Sequence, residues 1–203
     1  MGRIILENSL VTVDDDSSER LRKEQEYLDY IKEHIEFVKK AYVIYFAPLL
    51  DKTSISNIIS DNELKRAIEQ LSLTIETHDA SKFGDSEFDG YRAKYYPTQA
   101  ESVNDQLQQE LADRYEDCWK HHYTTNDHHP EYWYNEETKE AKDMPLIAII
   151  EMICDWEAMG MKFNNIALSW WENDPTGKEE KEKIMTPKSI EIAEELMYNV
   201  IHK

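Results

Sequence analysis

Six of the seven histidines in this chain form one ordered series with acidic residues. His34 comes first. His78 and Asp79 follow as an adjacent pair inside Thr77-His78-Asp79-Ala80-Ser81-Lys82-Phe83. His121, His122, His128 and His129 lie within nine residues of one another, and Asp155 closes the series. Imidazole and carboxylate both ligate divalent metals, and one carboxylate can bridge two. Only His202 stands apart.

The elements that must position these residues read as helices. A first helix is expected from about Ser18 to Tyr45, with Leu28, Ile31, Ile35, Val38 and Tyr42 at helical spacing. His34 falls roughly 60° from the centre of that stripe, at the edge of the buried face. Ser60-Asp61-Asn62-Glu63 reads as a capping box opening a second helix, with Leu64, Ile68, Leu71 and Ile75 on one face. Continuing that phase sets His78 and Asp79 roughly 40–60° to either side of the stripe, at the helix's C-terminal end. An ionised Asp at such a boundary needs a partner, which a metal or a His-Asp hydrogen bond between helices would supply.

Gly84 ends this helix, and a short aromatic connector (Phe83, Phe88, Tyr91, Tyr95, Tyr96) runs to Pro97. It could wall a substrate pocket or simply pack. Lys82, Arg92 and Tyr91 are its candidate substrate contacts, the two cations for a phosphate. A further helix is expected from about Glu101 to Tyr123, with Val103, Leu107, Leu111, Tyr115 and Cys118 as its stripe. His122 lies near the centre of that stripe and His121 roughly 80° off, so His122 is the inward group. Thr124 to Trp133, containing Asn126, Asp127 and Pro130, is a loop or tight corner. Glu131 there could act as a base or hold a histidine tautomer. Asp143 is expected to cap a central helix from Leu146 to Met159, whose only polar side carries Glu151 and Asp155. Phe163 to Trp171 should pack over the helices, and Lys178 to Lys183 reads as a solvated loop. A last helix is expected after Thr186-Pro187.

Composition bounds the rest. The chain has 203 residues, 40% of them hydrophobic, with few Gly or Pro. That predicts a single all-α domain at residues 18–203 behind an N-terminal tail at residues 1–17. Ile4, Ile5, Leu6, Val11 and Val13 could form a short strand that Asp14-Asp15-Asp16 would end. A net charge of −19 disfavours duplex nucleic acid and anionic membranes as partners. No apolar run reaches the roughly 18 residues of a membrane span, and no N-terminal apolar leader is present. The two cysteines, Cys118 and Cys154, do not make a disulfide framework. A soluble cytoplasmic protein is expected, and no pattern specifies an oligomeric state.

The order His34, His78-Asp79, His122, His128-His129, Asp155, with Lys82 three residues after the doublet, resembles the HD-domain superfamily of metal-dependent phosphohydrolases over roughly residues 27–159. The His-rich stretch is also similar to the His-His…Asn…His-His-Pro-Glu pattern of an uncharacterised family of phage and bacterial HD-like proteins. The resemblance implies an HD-like helical bundle. It implies His34, His78, Asp79 and Asp155 around a first metal, and Asp79 bridging to a second held by His122, His128 and His129. Manganese, iron, cobalt, nickel or zinc would suit so many imidazoles better than magnesium. The implied activity is hydrolysis of a small phosphoester, a nucleotide or cyclic nucleotide, by metal-activated water, with Asp79, Lys82 and Glu131 as catalytic groups.

Other architectures fit less well. There is no GxxxxGK[ST] or GxGxxG motif, and no pair of Glu-x-x-His segments for a ferritin-like di-iron bundle. Glu151/Asp155 with Glu191, Glu194 and Glu195 loosely resemble a helical nucleotide pyrophosphohydrolase site, which leaves the histidines unexplained. The alternative from another class is a non-catalytic HD-like module whose metal staples helices, or which binds a nucleotide or protein.

Overall fold

The computed structural model of the protein describes residues 13–202. All of the possible strand from Ile4 to Val13 except Val13 itself lies outside them. Within them, Val13 to Asp16 are already helical, so the aspartate run does not end a strand.

Helix α1 spans Val13–Ala41 and continues through a π turn at Tyr42–Phe46. Its buried seam is Tyr27, Ile31, His34, Val38 and Ala41. Tyr27 and Ala41 shift the centre of the face away from the half-buried Leu28 and Ile35. His34 therefore sits in the middle of the buried face at 3% exposure, not at its edge.

Helix α2, Asp61–Thr74, starts where Ser60 Oγ accepts the Glu63 N–H at 3.3 Å, and buries Leu64, Ala67, Ile68 and Leu71. It does not carry the His-Asp doublet. The α-helix ends at Thr74, a single 3₁₀ turn covers Ile75–Thr77, and the chain then kinks. Asp79 has φ of 55°, in the left-handed region, and leads into a second 3₁₀ turn at Ala80–Phe83.

Helix α3 is Phe88–Tyr95. The single helix expected from Glu101 to Tyr123 is two. A short α4, Gln99–Val103, opens with a full Thr98/Glu101 capping box, and α5 runs Asp105–Thr125. Asn104 stands between them in extended geometry and its Oδ1 accepts the Leu107 N–H, so it caps a new helix. Val103 is consequently exposed and leaves the apolar stripe.

After α5 come a 3₁₀ turn at Pro130–Trp133 and a two-stranded ribbon, β1 Tyr134–Asn135 against β2 Glu140–Ala141. Helix α6, Leu146–Phe163, is buried on most sides and packs most extensively along α1, then on α2, α7 and α9. Asp143 does not cap it. Asp143 instead binds Thr186 Oγ1 at 2.7 Å and Lys188 Nζ at 3.1 Å, tying the start of α6 to the last helix.

Helix α7 is Ala167–Asn173, α8 a short turn at Lys178–Lys181, and α9 Pro187–Glu194, prolonged as a π turn to Ile201. The run from Lys178 is not a free loop, because Lys178 pairs with Glu194 and Lys181 with Glu131. No helix among the described residues is long and apolar enough to cross a membrane.

The result is an all-α bundle with two apolar clusters. The larger surrounds α6. The smaller joins Tyr27, Ile31, Tyr91 and Cys118 between α1, α3 and α5. Along α1, Ile31 belongs to the smaller cluster and Val38 to the larger, and His34 falls at the seam between them.

Candidate metal centre

That seam gathers side chains from every part of the chain that the residue series marked. His34 enters from α1 and Asp155 from α6. His78 and Asp79 enter from the kink after α2, where the left-handed turn at Asp79 lets consecutive side chains aim at one point. His122 comes from the last turn of α5. Just beyond it, Asn126 folds back, with its N–H and Nδ2 both donating to the His122 carbonyl. This sends His128 and His129 inward.

Asp79 is the centre of the arrangement, at 2% exposure. Its Oδ2 lies 3.5 Å from His34 Nε2 and 3.6 Å from His78 Nε2. Asp155 Oδ1 completes that side, 3.0 Å from His34 Nε2 and 3.9 Å from His78 Nε2. The other oxygen, Oδ1, lies 3.3 Å from His122 Nε2 and 3.5 Å from His128 Nε2, and His129 Nε2 is 2.9 Å from His122 Nε2. Ligand atoms held about 2.1 Å from one ion sit about 3.0–3.5 Å apart; the Oδ1 side is close to that range, while His78 on the other side stands off at 3.6 and 3.9 Å. His78 Nε2, Asp79 Oδ1 and His128 Nε2 are buried and have no hydrogen-bond partner. Each would carry a desolvation penalty of about 1–3 kcal/mol if nothing met it. Cations inside the cluster would remove these penalties, and these buried groups can hold a metal ion.

A ring of carboxylates orients the imidazoles. Glu151 Oε1 lies 2.9 Å from His78 Nδ1 and 3.5 Å from His128 Nδ1. Glu87 Oε2 lies 2.8 Å from His122 Nδ1, and its Oε1 lies 2.7 Å from His121 Nδ1. A neutral imidazole that donates its Nδ1–H to a carboxylate must present the lone pair of Nε2 on its far side. Aromatic rings close the outside: Tyr91 stands edge-on to His122 at 5.7 Å, Trp119 edge-on to His129 at 5.4 Å, and Tyr30 lies parallel to His34 at 6.4 Å.

The charges follow from these contacts. Burial would raise the Asp79 carboxyl, but Lys82 and His78, with the close approach of His122 and His34, hold it well below the usual range. Burial opposes ionisation of Asp155 too, and the His34 contact overrides it downward. For His34, burial is outweighed by Asp155 and Asp79, which push it up to about 9. His128 goes the other way, to about 4, through burial and the charge of His78. Burial and the neighbouring histidines also hold His129 well down. Against burial, Asp79 and Glu87 also push His122 up. Without a metal, His34 and His122 therefore hold a proton more readily than a free imidazole, while His128 and His129 are held neutral.

All seven residues expected as ligands (His34, His78, Asp79, His122, His128, His129, Asp155) meet here. His121 is turned outward and half-exposed. His202 is elsewhere, 2.6 Å from Glu157. Lys82 Nζ donates to Asp79 Oδ2 at 2.5 Å and keeps 15% of its side chain exposed. Tyr91 is buried behind His122, with Lys82 Nζ 5.5 Å from its ring centroid, so it supports the cation and does not line the mouth.

Two expected site residues are not brought in. Arg92 is fully buried and engaged at 2.5 and 2.7 Å by Glu101 and at 2.9 Å by Asp89, so its guanidinium holds α3 to α4. Glu131 pairs with Lys181 Nζ at 2.8 Å, and Glu151 and Glu87 make the histidine contacts expected of it. Glu87 was not singled out in the sequence, nor were Ser81, 3.3 Å from His122 Nδ1, and Tyr30. The available signal for Glu87 was its place in the connector that follows the doublet.

A family model described as "Family of unknown function (DUF5662)" matches residues 23–199, and the chain belongs to that family. No curated protein matches the chain, and no solved structure does.

Proposed function

We propose that this member of DUF5662 is a metal-dependent phosphohydrolase, a phosphomonoesterase or phosphodiesterase acting on a nucleotide or cyclic nucleotide. One observation carries the reading: the two oxygens of buried Asp79 face two separate sets of imidazole nitrogens. His34, His78, Asp79 and Asp155 would hold one ion, and Asp79, His122, His128 and His129 a second. The HD-like order of these residues supports the same reading. So many imidazoles favour manganese, iron, cobalt, nickel or zinc. Two such ions, when bound, supply a water of lowered pKa and polarise the phosphoryl oxygens.

The chain's own groups do the rest. Glu151 and Glu87 fix the tautomers that keep the Nε2 lone pairs inward. Asp155, Glu151 and Lys82, at 16%, 15% and 15% side-chain exposure, are the more exposed charged groups of the centre, and a substrate would arrive past them. Lys82 is the cation placed to balance charge that develops on a phosphoryl group. Half-buried Tyr30 and Tyr96, with ring centroids 6.2 Å apart, offer apolar surface beside His34 and are the reason to prefer a nucleoside leaving group.

The test is a panel of nucleoside monophosphates, cyclic nucleotides and simple phosphoesters with manganese, run on the wild type and Asp79→Ala. Turnover in the wild type that disappears in the variant supports the proposal. The near-complete burial of the ligands favours a second reading, a metal that staples α1, α5 and α6 without catalysis. In that case no phosphoester is cleaved, and removing the metal lowers the melting temperature.

A further inference from the structure

The two oxygens of Asp79 are not equivalent. Oδ1 faces His122 and His128 and has no hydrogen-bond partner. Oδ2 faces His34 and His78 and also accepts from Lys82 Nζ at 2.5 Å. A dication on the Oδ2 side would share one buried oxygen with an ammonium group. Two cations so placed repel strongly where water is scarce.

Lys82 has somewhere else to go. Its stem is half-buried, its side chain is 15% exposed, and its ammonium already lies 5.5 Å from the face of Tyr91, whose hydroxyl is buried without a partner. Solvent also reaches the site at Asp155 and Glu151, whose side chains are 16% and 15% exposed. An anion arriving there would draw the ammonium off Asp79.

We propose that Lys82 is a tethered cation that guards the His34–His78–Asp155 half of the centre. The His122–His128–His129 half fills with metal first, and the guarded half fills together with an anionic phosphoester that takes Lys82 as its partner. This rests on the two-metal reading above and adds an order to it. Metal and phosphate then promote each other's binding by linkage.

The test is a manganese titration of the metal-stripped full chain as wild type, Lys82→Met and Lys82→Arg, with and without inorganic phosphate. The wild type should bind one ion tightly and a second more weakly. Lys82→Met should tighten the second step by about tenfold or more, and Lys82→Arg, which keeps the charge, should not. Phosphate should tighten that step more in the wild type than in Lys82→Met. Should Lys82→Met fail to melt cooperatively, neutral Lys82→Gln carries the same expectation.

Two bound ions with a second step no tighter in the neutral variants would overturn the guard and leave the two-metal centre standing. An equal phosphate effect in the wild type and the neutral variant would also overturn it. No metal bound by any variant would overturn both readings.

Discussion

Glu151 Oε1 lies 2.9 Å from Nδ1 of His78, and the same oxygen is 3.5 Å from Nδ1 of His128. One carboxylate therefore sets the tautomer of His78 and stands beside His128, two imidazoles that face opposite sides of Asp79. Glu151→Ala should weaken metal binding at both sides, by about 10- to 100-fold. Glu151→Gln, which can still accept one hydrogen bond, should cost less. Competition with a calibrated chelator measures this, and unchanged affinities would show that the histidines are held by packing alone.

His121 and His122 are adjacent, yet their fates differ. His122 is buried with Nε2 on Asp79, while His121 is half-exposed and reaches only the outer oxygen of Glu87. His122→Ala should lose the ion on the Oδ1 side. His121→Ala should keep full metal content, with at most a small loss of affinity through Glu87. Metal analysis of the two variants side by side decides this, and equal losses would contradict the assignment.

The pH dependence has two opposing parts. His34 in the folded, metal-free protein is raised from 6.5 to about 9. Its contribution to stability is complete below pH 6.5 and disappears as pH rises through about 9. His128 is lowered from 6.5 to about 4, so the unfolded chain binds the extra proton and stability falls as pH drops from 6.5 toward 4. These two groups place the metal-free maximum near pH 6.5. Metal on the His34 side must displace that proton, so affinity there should climb by about tenfold per pH unit up to about pH 9. Thermal melts across pH with chelator, and titrations across the same range, check both. A pH-independent affinity would contradict the role of His34.

Arg92 gives a prediction about the fold. Glu101 binds its buried guanidinium through both oxygens. Glu101→Ala leaves that charge uncompensated apart from Asp89 and should destabilise the protein by about 3 kcal/mol. Metal stoichiometry should be unchanged. Urea unfolding gives the first value, and a variant of wild-type stability would refute the structural role.

The buried His/Asp cluster is legible because metal-binding residue types are few and their order survives without knowledge of the fold. Helical phase even separated His122 from His121. It failed at His34, where the apolar residues that define the face include Tyr27 and Ala41, neither of which was counted. It failed again at Asn104, a cap in the middle of an otherwise continuous stripe. Glu87 and Glu151 show the deeper limit. The chain has 42 acidic residues, and only the packing of α3 and α6 against the histidines selects these two as their partners. Glu131 and Arg92 were attractive for what they neighbour in sequence, and Lys181 and Glu101 claim them in space.

The central claim is that Asp79 joins two metal sites. Its most direct test is elemental analysis of the untagged protein, as purified and after reconstitution with manganese or iron, beside Asp79→Ala. About two equivalents of a transition metal in the wild type, both lost in the variant while it still melts cooperatively, is the predicted result. No bound metal in the reconstituted wild type, or metal retained in full by Asp79→Ala, would contradict it.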